Sequence, residues 1–368
     1  MADLTIAFDP GSSLSKIFYT LKSFHPELLL MEPEVAQVPK ASLVAYESSC
    51  VGTPAPENSA WVEYKGQYRA VGFLAQDRFY ADLKLSEPKF ELAVYKTLAV
   101  VGTLAQKKSL SNGASIHLGV LLPYGEYEDR KLFERLVTEA LAGFRFRGVE
   151  YSFELETFLC RPEGFGLISR GRTPGSSLKD LKIAVVMIGF RNISVLIMDR
   201  GMISQGITED LGFNKLVSCV QRLVSGQKPL KLAAAISKAG SRISTKALAH
   251  LVRVQDPSLR DTEISQIRSA VGTAREEYWI SLASWLRSRI PSDVNEIIFA
   301  GGTAHYLTRE LNSLFPHAEK VWCDHLESQI NHNFFHDVSN HGLEFRLTDN
   351  YGLFFYLCGT SMRVTNHV

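Results

Sequence analysis

Two stretches of this 368-residue chain combine residue types that do chemistry with phosphates. The first is Asp9-Pro10-Gly11-Ser12-Ser13-Leu14-Ser15-Lys16, set between the apolar runs Leu4 to Phe8 and Ile17 to Leu21. Successive small residues in a tight turn point backbone N–H groups into a concavity that suits phosphate oxygens. Asp9, at a strand end, can hold a hydrated Mg²⁺ through its waters. Lys16, on the returning strand, can reach phosphates as a point charge. An Asp-Pro-Gly hairpin with a surface lysine fits the same residues. The second stretch is Ile297-Ile298-Phe299-Ala300-Gly301-Gly302-Thr303, an apolar strand running through Gly-Gly into a helix. That arrangement lets backbone approach a ligand closely at a helix N-terminus. A strand-to-helix turn that needs positive φ explains it equally.

The elements that carry these residues follow from hydrophobic periodicity. The chain opens as strand, tight loop, returning strand, whereas a dinucleotide or P-loop unit passes from its glycine-rich loop into a helix. Val35 to Asn58 reads as loop with short extended pieces, and Trp61 to Tyr64 with Gln67 to Val71 as a hairpin about Lys65-Gly66. Ser86 is positioned to cap a helix with Pro88 in its first turn, running towards Ala105 on the face Leu92, Tyr95, Leu98 and Ala99. Ile116 to Leu122 is a buried strand, Glu126 to Gly143 a helix, and Tyr151 to Leu159 a strand. Gly171 to Ser177 is the linker candidate. The opening pattern then returns: strand Lys182 to Ile188, turn Gly189 to Asn192, strand Ile193 to Met198. Helices follow at Phe213 to Val224, Leu230 to Ala239 and Thr262 to Arg289. The strand Glu296 to Ala300 leads into a helix reaching Leu314, and Asp349 to Cys358 reads as helical. The architecture repeats while the sequence does not.

In this order, the loops resemble the actin, Hsp70 and sugar-kinase superfamily over nearly the whole chain. The resemblance implies an α/β, two-lobed actin-like fold with an interlobe nucleotide cleft lined by two phosphate loops and an adenosine loop. Lobe I would span 1–172 plus 350–368, and lobe II 173–349. Within the superfamily the chain looks most like the bacterial ParM/StbA/Alp plasmid-segregation actins. Tyr68 to Ala75, Leu118 to Pro123 and Pro162-Glu163-Gly164 carry that likeness. The resemblance makes Glu163 the residue that orients the attacking water and, with Asp9, assigns it to catalysis. It gives Asp9 the metal and makes Gly11, Ser12, Ser13, Lys16, Gly189, Asn192, Gly301, Gly302 and Thr303 the nucleotide contacts. The implied cofactors are ATP or ADP with Mg²⁺. The implied partners are further copies in a filament and a DNA-binding adaptor protein.

The second phosphate loop departs from the family pattern, which writes Asp-x-Gly there. This chain has Met187-Ile188-Gly189-Phe190-Arg191-Asn192-Ile193-Ser194. A thioether has little affinity for so hard a cation. Arg191 can supply positive charge in place of the metal, or fill the space of the γ-phosphate. The expectation is therefore nucleotide binding with slow or absent hydrolysis. One alternative is a non-hydrolysing actin-like scaffold. Another is a small-molecule kinase, with Asp77, Asp82 and Asp129 as candidate acids.

Length and composition agree with this reading. A chain of 368 residues exceeds what one hydrophobic core usually serves. The formal net charge of +1 gives no bulk attraction to nucleic acid or to an anionic membrane, so any DNA contact would run through a partner. Five scattered cysteines without a CxxC pair read as reduced thiols in a cytoplasmic chain. The sequence shows neither a signal-type N-terminus nor an apolar run long enough to span a bilayer. His325, His332, His336 and His341 lie close together, and the spacing of His332 and His336 can chelate a metal, but no Cys or carboxylate set completes a site.

Overall fold

The computed structural model describes residues 2–22, 25–170, 178–338 and 342–365. The linker candidate at 171–177 and His341 lie outside the described residues. The chain divides into two compact units, Met1–Arg172 with His325–Val368, and Thr173–Asp324.

The main sheet of the first unit runs in the order Glu154–Pro162, Ser115–Leu122, Leu4–Pro10, Ser15–Thr20, Glu27–Met31. Leu4–Pro10 pairs parallel with Ser115–Leu122 and antiparallel with Ser15–Thr20. The sheet of the second unit repeats that plan: Glu319–Val321, Glu296–Ala300, Lys182–Ile188, Ile193–Asp199, Met202–Glu209. Lys182–Ile188 occupies the place of Leu4–Pro10, antiparallel to Ile193–Asp199 and parallel to Glu296–Ala300. Central strands covered on both faces read as continuous apolar runs, and all seven residues of Leu4–Pro10 are buried. In both sheets the tight turn between the first two strands falls at the carboxyl end of the central strand, which places the phosphate-loop candidates in equivalent positions of the two units.

A third sheet in the first unit contains the expected hairpin, Trp61–Tyr64 with Gln67–Val71. Lys65 and Gly66 both take positive φ (50° and 72°), as a two-residue hairpin turn requires.

Several elements differ from the sequence reading. The segment 40–49, read as loop, is the helix Lys40–Ser49. Its apolar signal is faint because it buries Leu43 alone. The helix expected from Ser86 begins at Lys89, after an extended Pro88, and runs to Lys108. Its most buried face carries Phe90, Ala93, Thr97 and Leu98, with Leu92 and Tyr95 half-buried beside it. The segment Glu126 to Asp129 lies in a tight 3₁₀ turn, and the helix proper is Arg130–Leu141. Tyr151 to Leu159 is split between Val149–Tyr151 and Glu154–Pro162. The exposed strand Met202–Glu209 lacks an apolar face and went unseen.

The chain re-enters the first unit at His325, earlier than the boundary expected at 350. The cause is aromatic packing: Phe18 of the first sheet meets Phe334 at 5.4 Å and Tyr351 at 5.1 Å between ring centroids. Both residues therefore belong to that core, Phe334 on the helix Asp324–Val338 and Tyr351 on the helix Glu344–Thr365. The described residues hold no helix long and apolar enough to cross a membrane.

Candidate functional site

In the first unit the strand pairing sets Asp9 opposite Lys16 and Pro10 opposite Ser15, leaving Gly11 to Leu14 as the turn. A Cβ on Gly11 would overlap the Leu14 carbonyl oxygen, so only glycine lets the turn close this tightly. Ser12 and Ser13 are half-buried in it. The turn is fixed from below by Asn350, whose amide Nδ2 donates to the carbonyls of Ala7 at 3.1 Å and Lys16 at 2.9 Å. It is fixed from the side by Arg346, whose Nη2 donates to Ser13 Oγ at 2.9 Å.

Asp9 is buried, and both of its oxygens face ammonium groups. Lys16 Nζ lies 2.5 Å from Oδ2, and Lys89 Nζ lies 3.3 Å from Oδ1. Burial pushes the Asp9 carboxyl up, but the charges of Lys16 and Lys89 outweigh it and hold the group at about 2. Lys89, the first residue of its helix, also reaches Glu163 Oε1 at 2.7 Å. Burial alone would discharge Lys89. The carboxylates of Glu163 and Asp9 prevail and hold it above the ordinary lysine range.

Glu163 is placed by its backbone, since its amide donates to the Leu122 carbonyl at 2.8 Å at the end of the parallel strand pair. The following turn uses Gly164 at φ 94°. The amides of Gly164 and Gly166 then donate to Asp349 Oδ2 and Oδ1 at 2.6 and 2.8 Å. Burial raises the Asp349 carboxyl to about 7, against the opposing pull of the Gly164 amide.

One further cation faces the turn. Lys96 sits two helical turns after Lys89, on the same buried face. Its Nζ donates to the Gly11 carbonyl at 3.5 Å. Burial, with the charge of Lys89, depresses it to about 7. Lys16, Lys89, Lys96 and Arg346 thus converge on one loop, which is the electrostatic preparation expected of a polyanion site.

In the second unit Gly189 and Asn192 close the equivalent turn, with the Gly189 amide donating to the Asn192 carbonyl at 2.9 Å. Thr303 Oγ1 donates to the Gly189 carbonyl at 2.8 Å. Gly301 takes φ 96°, and a Cβ there would press on the Ile188 carbonyl oxygen. Gly301 and Thr303 therefore pack on the end of this strand and on the Gly189 turn. Met187 sits one residue before the end of its strand, opposite Ser194 and beside Ala300. Arg191 lies half-buried, with Nε 4.0 Å from Asp210 Oδ1.

The site residues named from the sequence fall into these two groups: Asp9, Gly11, Ser12, Ser13, Lys16 and Glu163 in the first unit, and Gly189, Asn192, Gly301, Gly302 and Thr303 in the second. Lys89, Lys96, Arg346 and Asp349 were missed. A signal existed for the lysines, which stand seven residues apart in a helix whose other members on that face are apolar or small. Nothing in the local sequence marks Arg346 or Asp349, which reach the loop only through the fold.

The donor set does not suit Mg²⁺. Asp9 has an ammonium on each oxygen, and in the second unit Met187 stands where the resemblance expects an acid. Among the described residues no group of three His, Cys, Asp or Glu is placed to hold a metal ion, the helix bearing His325, His332 and His336 included. The anion-binding features fit a polyphosphate better than they fit a cation.

No protein-family model matches the sequence, and neither does any curated protein. Solved structures do match along the whole chain. The actin-like protein Alp7A superposes with a TM-score of 0.63 at 13% identity, covering 99% of this chain and 98% of that one. Ta0583, an archaeal actin homologue, gives 0.62 at 13% identity, covering 97% and 99%. A ParM filament from Clostridium botulinum gives 0.56 at 16% identity, covering 87% and 95%. The duplicated sheet topology, the equivalent turns and these full-length superpositions lead to one conclusion: the chain has the actin-like fold, in the form carried by bacterial and archaeal actin homologues.

Proposed function

We propose that the chain is a bacterial actin-like, filament-forming protein of the ParM/Alp type that binds an adenine nucleotide and serves in DNA segregation or a related cytoskeletal role. The observation that carries nucleotide binding is the convergence of Lys16, Lys89, Lys96 and Arg346 on the Gly11 turn. Gly11, Ser12, Ser13 and Lys16 would hold phosphate oxygens. Gly189, Asn192, Gly301, Gly302 and Thr303 are the nucleotide contacts proposed for the second unit. Self-assembly is supported by full-length likeness to proteins solved as filaments, ParM and Alp12 among them. Head-to-tail contacts between such copies are heterologous and propagate without closing. A DNA-binding adaptor would connect the filament to its cargo, because the near-neutral chain has no bulk charge of its own to hold DNA.

Hydrolysis is the part of this reading that the site supports least. Glu163, the proposed water-orienting residue, is engaged by Lys89, and Met187 supplies no acid. These observations favour a scaffold with slow or absent turnover. The kinase alternative gains nothing, since Asp77, Asp82 and Asp129 are all exposed.

Electron microscopy and pelleting of the purified chain, with and without ATP, test the proposal. Helical filaments are the expected result, and a monomer under every nucleotide condition would refute assembly. Phosphate release measured on the same samples separates the motor-like ATPase from the scaffold.

A further inference from the structure

In the first unit, the two carboxylates that a metal-dependent reading assigns to the cation and the water are joined by a single side chain. Lys89 Nζ lies 2.7 Å from Glu163 Oε1 and 3.3 Å from Asp9 Oδ1, and its side chain is only 6% exposed. The remaining Asp9 oxygen faces Lys16 at 2.5 Å. A divalent ion drawn to Asp9 would meet a positive charge at each of its oxygens. Mg²⁺ also demands near-octahedral oxygen ligation, and ammonium groups supply no ligand. Lys89 stands in the first turn of a helix packed into the core, with its ammonium buried between the two acids.

We propose that the Lys89 ammonium occupies the position of the divalent cation, so that this chain binds a nucleoside di- or triphosphate without Mg²⁺. The proposal rests on the reading of Asp9 to Lys16 as a phosphate loop. Charge neutralisation of the phosphates then falls to residues of the chain itself: Lys89 above Asp9, Lys96 behind the Gly11 carbonyl, and Arg346 on Ser13. A lysine serves here as a compact point charge, the property it shares with a small cation. The ammonium groups of Lys16 and Lys89 lie within 2.5 to 3.3 Å of the Asp9 and Glu163 carboxylates, so the pairs in the cluster are complete without a metal.

Calorimetric titration of ATP and ADP into the full chain, in EDTA and in Mg²⁺, tests this. The wild-type affinity should differ by less than about threefold between the two conditions, and Lys89→Ala should lose roughly tenfold or more in EDTA and regain it with Mg²⁺. A wild-type affinity that collapses in EDTA, or a Lys89→Ala chain equally indifferent to Mg²⁺, overturns the proposal. A second measurement needs no nucleotide: Mn²⁺ uptake followed by electron paramagnetic resonance. Folded Lys89→Ala, or Lys89→Gln where alanine disrupts folding, should take up one Mn²⁺ that wild type does not, and adding Glu163→Gln should abolish it. Equal uptake by wild type, or none by either variant, overturns the lysine's role. If wild type binds no nucleotide under any condition while the variant gains Mn²⁺, the phosphate-loop reading fails and Lys89 still stands in for a cation.

Discussion

Asp349 holds the Gly164 amide at 2.6 Å across 185 residues of sequence, and so sets the turn that presents Glu163. Its other oxygen takes the Gly166 amide, leaving each N–H with one carboxylate oxygen. Two donors on a buried acid are satisfied only by a group with two acceptors.

Asp349→Asn should therefore leave one of these amides without an acceptor, at a cost of about 1–3 kcal/mol. A pH signature accompanies the loss. The folded carboxyl is raised to about 7, so between the ordinary aspartate range and pH 7 the folded state binds a proton that the unfolded chain has released. Stability must then fall as pH rises through that window and level off above it. Urea denaturation at pH 5 and pH 8 should show the advantage of wild type over Asp349→Asn shrinking at the higher pH. A constant difference would mean that the acid titrates normally.

Lys96 makes the opposite case. Its depressed folded value, about 7, means the unfolded chain binds the extra proton between there and the ordinary lysine range. Stability should rise with pH across that interval, and the penalty is full below it. Lys96→Met should stabilise the nucleotide-free protein at neutral pH by on the order of 1–3 kcal/mol and flatten this slope. The same variant should bind ATP more weakly. Tighter binding in a direct titration would remove Lys96 from the phosphate site.

The helices Phe165–Arg170 and Glu344–Thr365 meet through glycine. A Cβ on Gly166 would fall on the Asp349 carbonyl, and one on Gly352 would fall on the Gly166 carbonyl. Gly166→Ala and Gly352→Ala should each cost about 3 kcal/mol or more, since backbone cannot repack as a side chain does. A thermal shift of less than a few degrees in either variant would mean that the helices can separate at little cost.

Met187→Asp restores the acid that the resemblance expects in the second loop. On its own it should leave phosphate release unchanged within about twofold, because Lys89 still holds Glu163. A large gain in turnover would show that the missing acid, and not the lysine, limits hydrolysis.

The sequence disclosed the parts of the fold whose signal is local. Lys182–Ile188 and Glu296–Ala300 are buried apolar runs, bounded by a glycine turn at the carboxyl end, and both were placed to the residue. The register of Asp9 with Lys16 follows from the short turn between their strands. Met202–Glu209 escaped because an exposed strand carries no hydrophobic alternation. Four residues of the candidate site escaped for another reason. Arg346 and Asp349 act on residues more than 180 positions away, a relation that only tertiary packing creates. Lys89 and Lys96 looked like ordinary helix lysines until their face was known.

The clamp by Asn350 on Ala7 and Lys16 spans 343 and 334 residues. During synthesis the hairpin of Leu4–Pro10 and Ser15–Thr20 emerges long before residues 346 and 350, which hold its Ser13 and its base. The whole second unit is translated in between, while one face of the first unit's sheet waits for the helix Glu344–Thr365 that packs on it. Closing so long a loop is entropically slow. The turn at Gly11 thus gains its last anchors, Arg346 and Asn350, only after the whole second unit has been translated.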